Sequence, residues 1–363
     1  AGSNYAMDSV HSLGIEVDVL KLGFSHPLPS KLVGDFMKSH EIVLVVEELE
    51  PILENAVRAL AQRRSLKTTI IGKSDGALPR AHEFDQNIVE AAIQKAFGIK
   101  GEATNVPMTS GGLPGRPPVL CAGCPHGATY FAVNKAVGKK AIFASDIGCY
   151  TLGVAPPYKT ADLLICMGSS VGTAGGLAMV NDVPVIAFIG DSTFFHAGIP
   201  GLINAVHHGH KFLLMILDNR TTAMTGHQPH PGSAVGPSCC DITAVSIEDI
   251  VKGCGVKWLR IVDPYDIKTT TETVKEAVTQ EGVSVIIARR ECILLARRNK
   301  TGVMAKKPHI DQTICNKCRT CVDKLQCPAI SSIDKVQSID ETSCAGCGVC
   351  TQICPSKAIK EGK

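Results

Sequence analysis

The sequence predicts an α/β protein built on parallel sheets and closed at its carboxyl end by a small, cysteine-rich α+β module. Three observations carry this. The apolar runs VPVIAFIG (183–190) and FLLMIL (212–217) do not alternate, as expected of strands covered by helices on both faces. Strand and helix signals alternate through residues 15–72, the pattern of βαβ units wound by right-handed crossovers. Eight cysteines crowd into residues 315–354, a stretch too small and too poor in apolar side chains to fold around those alone.

IEVDVL (15–20), EIVLVV (41–46) and TTII (68–71) read as the first three strands. The helices between them are PLPSKLVGDFMKSH (27–40) and EPILENAVRALAQRR (50–64), each with helical apolar spacing and a proline near its start. This gives a small α/β domain over 1–75. Residues 76–118 read as a linker carrying one helix at 85–97, because glycine and proline accumulate in TSGGLPGRPP (109–118). A larger α/β domain is expected over 119–303, with VSVIIAR (283–289) as its last strand, and the cysteine module over 304–363. The chain opens with Ala1 in a tag-like AGSNYAM, so a fragment or a processed chain is expected.

At 45% hydrophobic and 20% charged residues the composition is that of an ordinary globular protein. The net charge is only +3 and the basic residues are scattered, which argues against a nucleic-acid or membrane surface. No run approaches a membrane span, and none reads as a signal peptide. Sixteen cysteines without secretion signals point to metal or redox chemistry in a reducing compartment, here the cytoplasm of an anaerobe.

Cys344, Cys347, Cys350 and Cys354 match C-x2-C-x2-C-x3-C-P, the spacing with which bacterial two-cluster ferredoxins hold [4Fe–4S] cubes. Cys315, Cys318, Cys321 and Cys327 form a second run, with five residues instead of three before its last cysteine. In such runs the fourth cysteine serves the other cluster. The sets expected are therefore Cys315, Cys318, Cys321 and Cys354 for one, and Cys344, Cys347, Cys350 and Cys327 for the other. The two-residue insertion puts the intactness of one site in question. Zinc is the alternative for C-x2-C pairs, but eight cysteines in two runs each closed by Cys-Pro favour clusters.

GDSTFF (190–195) follows an apolar strand, and Asn219 ends the next one in LLMILDNRTTAMTG. An acid and an amide at the carboxyl ends of two parallel strands lie where open α/β sheets bind ligands. Magnesium takes oxygen ligands plus phosphate oxygens, so Asp191, the Asn219 side-chain oxygen and the Thr221 carbonyl are candidates. The pair resembles the thiamine diphosphate signature GDG…N, with Ser192 in place of the second glycine. Nearby, small residues in CMGSSVGTAGGLAM (166–179) would let a helix start approach a diphosphate, which makes Gly168, Ser169, Ser170, Gly190 and Ser192 candidate contacts. A turn aspartate, a strand-end asparagine and glycine-rich packing are the structural alternatives.

With CAGCPHGATY (121–130), DIGCYTLG (146–153), CMGSSVGTAGG, GDSTFFHAGI and the tail in this order, the chain closely resembles the alpha (large) subunit of indolepyruvate:ferredoxin oxidoreductases. KLGFSHPLP and VLVVEELEP resemble that subunit's transketolase-C-like domain, so the resemblance covers essentially the whole chain. It implies a transketolase-C-like domain, a thiamine-diphosphate-binding domain and a two-cluster ferredoxin-like module. The implied activity is oxidative decarboxylation of arylpyruvates (indolepyruvate) to aryl-acetyl-CoA and CO2. Electrons would pass from a thiamine diphosphate enamine through the clusters to ferredoxin. Implied partners are a smaller beta subunit, ferredoxin and coenzyme A, in a hetero-oligomer built on a dimer. The cofactors are thiamine diphosphate, Mg2+ and at least two [4Fe–4S] clusters. Cys121, Cys124, Cys149 and Cys292 resemble the ligands of a third cluster in related enzymes, with idle loop thiols as the alternative.

The family's activating glutamate lies on a pyrimidine-binding domain preceding the matched segment. Glu47, Glu48 and Glu50 do not replace it, so the catalytic residue is unassigned, with His196 and His126 as candidates facing substrate or cofactor. Cys166, Cys239, Cys240 and Cys254 read as small buried hydrophobes or idle thiols. His207, His208 and His210 suit a helix C-terminus, and Trp258 suits packing. The competing functions are another 2-oxoacid substrate, pyruvate or branched-chain, and a non-catalytic electron-transfer subunit.

Overall fold

The computed structural model describes residues 2–99, 115, 117–138, 140–234, 242–301 and 306–362. It divides into two compact units, Ala1–Gly115 and Arg116–Lys363.

In the first unit, α1 (Gly2–Leu13), α2 (Ser30–Lys38), α3 (Ile52–Arg63) and α4 (Gln86–Phe97) surround two parallel strands, β1 (Ile42–Leu44) and β2 (Thr69–Ile71). Pro29 and Pro51 sit at the N-caps of α2 and α3, where their missing N–H costs nothing. Glu47 accepts the first amides of α3, from Leu53 and Glu54, both at 2.8 Å. Three expectations change. IEVDVL is not a strand: its side chains alternate between half-buried and exposed over 15–18, but no ladder bonds join it to β1. The alternation there reports one-sided burial along a cavity beside β1, not pairing. The tag-like opening is helix α1, whose Tyr5, Ala6 and Val10 pack with Val89, Ala92 and Ile93 of α4. That packing places α4 in the first unit, where the sequence reading made it part of a linker; residues 100–114 and 116 of that linker lie outside the described residues.

The second unit is a five-stranded parallel sheet in the order β3–β4–β5–β7–β6: β3 (Ile142–Ala144), β4 (Val185–Gly190), β5 (Leu213–Asp218), β6 (Trp258–Val262) and β7 (Ser284–Arg289). Every residue of β4 and β5 is buried, as their unbroken apolar runs require. Helices α5 (Pro125–Val137) and α10 (Ile267–Ala277) pack with the core on one face. On the other lie α6 (Ser169–Val180), α8 (Ile199–His207) and α9 (Ile247–Gly253). A short turn, α7 (Asp191–Thr193), and one widened turn over Phe194–Gly198 lead from β4 into α8.

After α11 (Ile293–Asn299) the tail forms two antiparallel pairs: β8 (His309–Ile310) with β11 (Ile359–Lys360), and β9 (Ile330–Ile333) with β10 (Val336–Ile339). Asp334 and Lys335, both at positive φ, make the two-residue turn that matches hairpin twist. The small helices α12 (Thr320–Asp323) and α13 (Val349–Ile353) follow the cysteine loops. The module is docked, not tethered. Ala128 and Ala132 of α5 share an apolar cluster with Leu325, Val349 and Ile353. Tyr158 Oη donates to Leu325 O, while Gln352 bonds Tyr265 O (2.7 Å) and Ile267 N (3.1 Å). No helix among the described residues is long and apolar enough to cross a membrane.

Candidate functional site

Strands β3, β4, β5 and β7 all run the same way, so the loops leaving them gather at one edge of the sheet. Asp191 follows β4 and Asn219 follows β5, both almost fully buried. Asp191 Oδ1 accepts Ser192 N–H at 2.8 Å and Oδ2 accepts Arg220 N–H at 2.7 Å. Arg220 holds φ +64°, which folds that amide back over the carboxylate. Asn219 Oδ1 accepts Thr221 N–H (3.3 Å), and the Thr221 carbonyl takes one bond, from Ala223 N–H (3.1 Å), leaving a second lone pair. Three oxygen donors, on Asp191, Asn219 and Thr221, thus lie on neighbouring strand ends, a set suited to a hard cation.

His126, in the first turn of α5, lies 3.4 Å from Asn219 through Nε2. Burial pushes its pKa down to about 4 against the opposing pull of Asp191, so the ring is neutral near pH 7. A neutral Nε2 acceptor takes the Asn219 amide N–H and leaves the amide oxygen turned toward Thr221. His196 is exposed on the widened turn after α7. Gly190 lets the Tyr150 ring approach: a Cβ there would stand 2.6 Å from Tyr150 Cε1.

Sequence reasoning missed Asp146. It follows β3, is wholly buried, and accepts Gly168 N–H on both oxygens (2.8 Å each) and Ser170 N–H at 3.2 Å. The amides of Gly168 and Ser170, in the helix start expected to face a diphosphate, are bonded to this protein carboxylate. Ser169 bonds Cys166, its Oγ donating to the Cys166 carbonyl (2.7 Å). Gly168 has its own reason, at φ +87° and with a would-be Cβ 2.4 Å from Ala197 Cβ. The signal for Asp146 stood in DIGC, but no local rule pairs it with residues 22 positions on.

The tail cysteines fall into two cavities. Cys315, Cys318, Cys321 and Cys354 line one; Cys327, Cys344, Cys347 and Cys350 line the other. Each loop uses left-handed residues at the same places, Lys317 and Arg319 in the first, Gly346 and Gly348 in the second. Among the described residues no three His, Cys, Asp or Glu converge on a single metal ion. Each cavity is thus lined by the four thiols that the ferredoxin spacing assigns to one cluster. The insertion before Cys327 does not remove that thiol: it forms a turn with Gln326 left-handed and Leu325 buried. Burial raises the Cys347 pKa to about 11; it also acts on Cys354, where hydrogen bonds from Ser356 and the amides of Ile359, Ala358 and Ser356 outweigh it and lower the pKa.

Cys121, Cys124, Cys149 and Cys292 also come together at the sheet edge. Burial raises Cys124 to about 12 and Cys149 to about 11, and the neighbouring Cys121 and Cys292 add to both. Cys292 N–H donates to the Asn219 carbonyl at 2.9 Å, joining this group to the oxygen donors. Cys124, Cys327 and Cys347 line one shared cleft, so the group also borders the second tail cavity. Cys254 is half-buried and Cys166 exposed; Cys239 and Cys240 lie outside the described residues. His207, His208 and His210 contact one another at the end of α8, and Trp258 packs in the core with Nε1–H bonded to Glu276 (3.1 Å).

Residues 146–288 match the family "Thiamine pyrophosphate enzyme, C-terminal TPP binding domain", and residues 338–360 match "4Fe-4S binding domain". The chain is 47% identical over 367 residues to the indolepyruvate oxidoreductase subunit IorA of Methanothermobacter marburgensis, covering 99% of this chain and 58% of that protein. The subunit of the same name from Archaeoglobus fulgidus is 43% identical over 370 residues, with the same coverage. The tail is also similar to the pyruvate synthase subunit PorD of M. marburgensis, 46% identical over 65 residues (18% of this chain, 76% of that protein). The chain thus spans under three fifths of the IorA relatives' length. Along 99% of its own length it is a homologue of the indolepyruvate oxidoreductase A subunits, the family whose motifs it carries.

Proposed function

We propose that the chain forms the diphosphate-and-cation side of a thiamine-diphosphate-dependent 2-oxoacid:ferredoxin oxidoreductase, together with its electron exit. The substrate class is arylpyruvates such as indolepyruvate, with coenzyme A as acyl acceptor and ferredoxin as the final electron acceptor. A smaller beta subunit and a dimeric core complete the assembly, in the cytoplasm. One observation carries the reading: the Asp191–Asn219–Thr221 oxygen donors and the Cys121–Cys124–Cys149–Cys292 group share one sheet edge and are bonded through Cys292 N–H and Asn219 O.

Bound, thiamine diphosphate supplies an electron sink for decarboxylation, and [4Fe–4S] clusters take electrons one at a time. The chain's own residues do the rest. Asp191, Asn219 and the Thr221 carbonyl are the residues that would hold Mg2+, and His126, kept neutral by burial, orients Asn219. Cys121, Cys124, Cys149 and Cys292 hold the cluster nearest that site. Cys327, Cys344, Cys347 and Cys350 hold the next, beside Gly123, whose would-be Cβ lies 3.7 Å from Cys347 Cβ. Cys315, Cys318, Cys321 and Cys354 hold the outermost, where Cys318 is exposed.

Calorimetry of thiamine diphosphate binding to the full-length subunit tests this. Binding is expected to require Mg2+ and to weaken at least tenfold in Asp191→Ala, which removes a charged cation ligand. Binding indifferent to Mg2+ and to Asp191 would refute the cation site.

A further inference from the structure

The segment TGHQPHPGS (225–233) has no role in the reading above. It is the return arm of the loop that leaves β5: Thr222 and Gln228 pair as an antiparallel bridge, and the chain doubles back so that His230 lies against Asp191. The His230 side chain has no exposed surface, and its ring stacks on Phe195 at 5.7 Å between centroids. Gly232 permits this packing, since a Cβ there would stand 2.6 Å from Phe195 Cε2. Ser233 fixes the backbone, taking His230 N–H on Oγ (3.1 Å) and donating from Oγ to His230 O (2.8 Å).

The ring's tautomer follows from its bonds. Gly232 N–H donates to His230 Nδ1 at 3.1 Å, so Nδ1 is the acceptor and the ring N–H is on Nε2. Nε2 lies 3.0 Å from Asp191 Oδ2, but off the line of a good hydrogen bond: among the described residues it has no aligned acceptor. A buried N–H left so is disfavoured, which favours any bound state that aligns it. Oδ2 already accepts Arg220 N–H, whereas among the described residues Oδ1 accepts Ser192 N–H alone and keeps a lone pair open.

We propose that His230 is the positioning residue of the cation site: as an Nε2–H donor it holds Oδ2 of Asp191, turns Oδ1 toward the cation, and completes its own bond when the cation is in place. This rests on the reading of Asp191 as a cation ligand. It assigns to the loop 219–233 a function beyond supplying Asn219 and Thr221, because the loop's far end steers the ligand on β4.

The test is Mn2+ binding to the full-length subunit in the presence of thiamine diphosphate, read from the electron paramagnetic resonance signal of free Mn2+. His230→Phe keeps the ring stack without the donor, and His230→Gln keeps a donor without the ring. His230→Phe is expected to weaken Mn2+ roughly 10–100-fold, as loss of a ligand's supporting bond does, and His230→Gln to recover most of it. Melting temperatures without metal should not follow that order. Unchanged affinity in His230→Phe overturns the proposal; so does equal loss in both variants with matching melting temperatures, which means packing alone. Should His230→Phe not fold, His230→Ala is read in the same way. A wild-type protein that does not bind Mn2+ overturns the cation site and this proposal together, whereas wild-type binding with an unaffected His230→Phe overturns only this one.

Discussion

Asp191 and Asn219 were legible at the scale of single residues because strand ends are legible. Two unbroken apolar runs announce two buried parallel strands, and whatever polar residue follows each must emerge at the same edge. Asp146 and His230 were not legible. Their partners Gly168 and Asp191 stand 22 and 39 positions away, and only the sheet order and the fold of the β5 loop bring them together. The cysteines sit between these cases: their spacing announces clusters, and which thiols face one cavity is fixed by two loops of the same geometry. If Cys327 holds a cube as proposed, Cys327→Ala in anaerobically reconstituted protein is expected to lower bound iron by about the content of one four-iron cube. Iron content equal to wild type would exclude Cys327 as a ligand.

Among the elements, helices were read best and pairing worst. The helices with strong apolar spacing fall within three residues of their expected bounds, whereas IEVDVL alternates convincingly and pairs with no strand among the described residues, since alternation records which side is buried and says nothing about partners. The loop before α5 shows what spacing conceals. Gly123 sits at φ +75°, and a Cβ there would meet Ala345 Cβ at 2.7 Å and Ile293 Cγ1 at 3.5 Å. Gly123→Ala should destabilise the second unit by about 2 kcal/mol through backbone strain and overpacking, a melting temperature lower by about 4–8 °C. An unchanged melting temperature would mean the loop and tail separate freely.

Behind β5 and β7, Arg289 bonds buried Asp218 (2.6 Å) and pairs bidentately with Glu248 (2.6 and 2.8 Å). The guanidinium holds the Glu248 pKa down to about 2 against some burial. A depressed carboxylate stabilises the fold above its unfolded pKa, near 4.5, and loses that contribution as pH falls through its folded value. Glu248→Gln should therefore cost on the order of 2 kcal/mol at pH 7 and progressively less between pH 4.5 and 2. A melting-temperature difference that does not shrink with acidification would assign the loss to packing.

For the whole molecule, the sequence made the α/β class and the cysteine module plain, but not the seating of the module. Tyr158, Tyr265 and Ile267 tie it to the α/β core through Leu325 and Gln352, across about 80 to 170 residues and beyond any local pattern. That seating gives the three cysteine groups an order, from the oxygen donors at the sheet edge, past Gly123, to exposed Cys318. The most direct test is made on the full-length enzyme with its partner subunit, under anaerobic conditions: add indolepyruvate and coenzyme A and follow the visible absorbance of the clusters. Bleaching that needs thiamine diphosphate and Mg2+, and that fails in Asp191→Ala although dithionite still bleaches the clusters, is the predicted result. Clusters that dithionite reduces but indolepyruvate leaves oxidised in the wild-type enzyme would contradict the account.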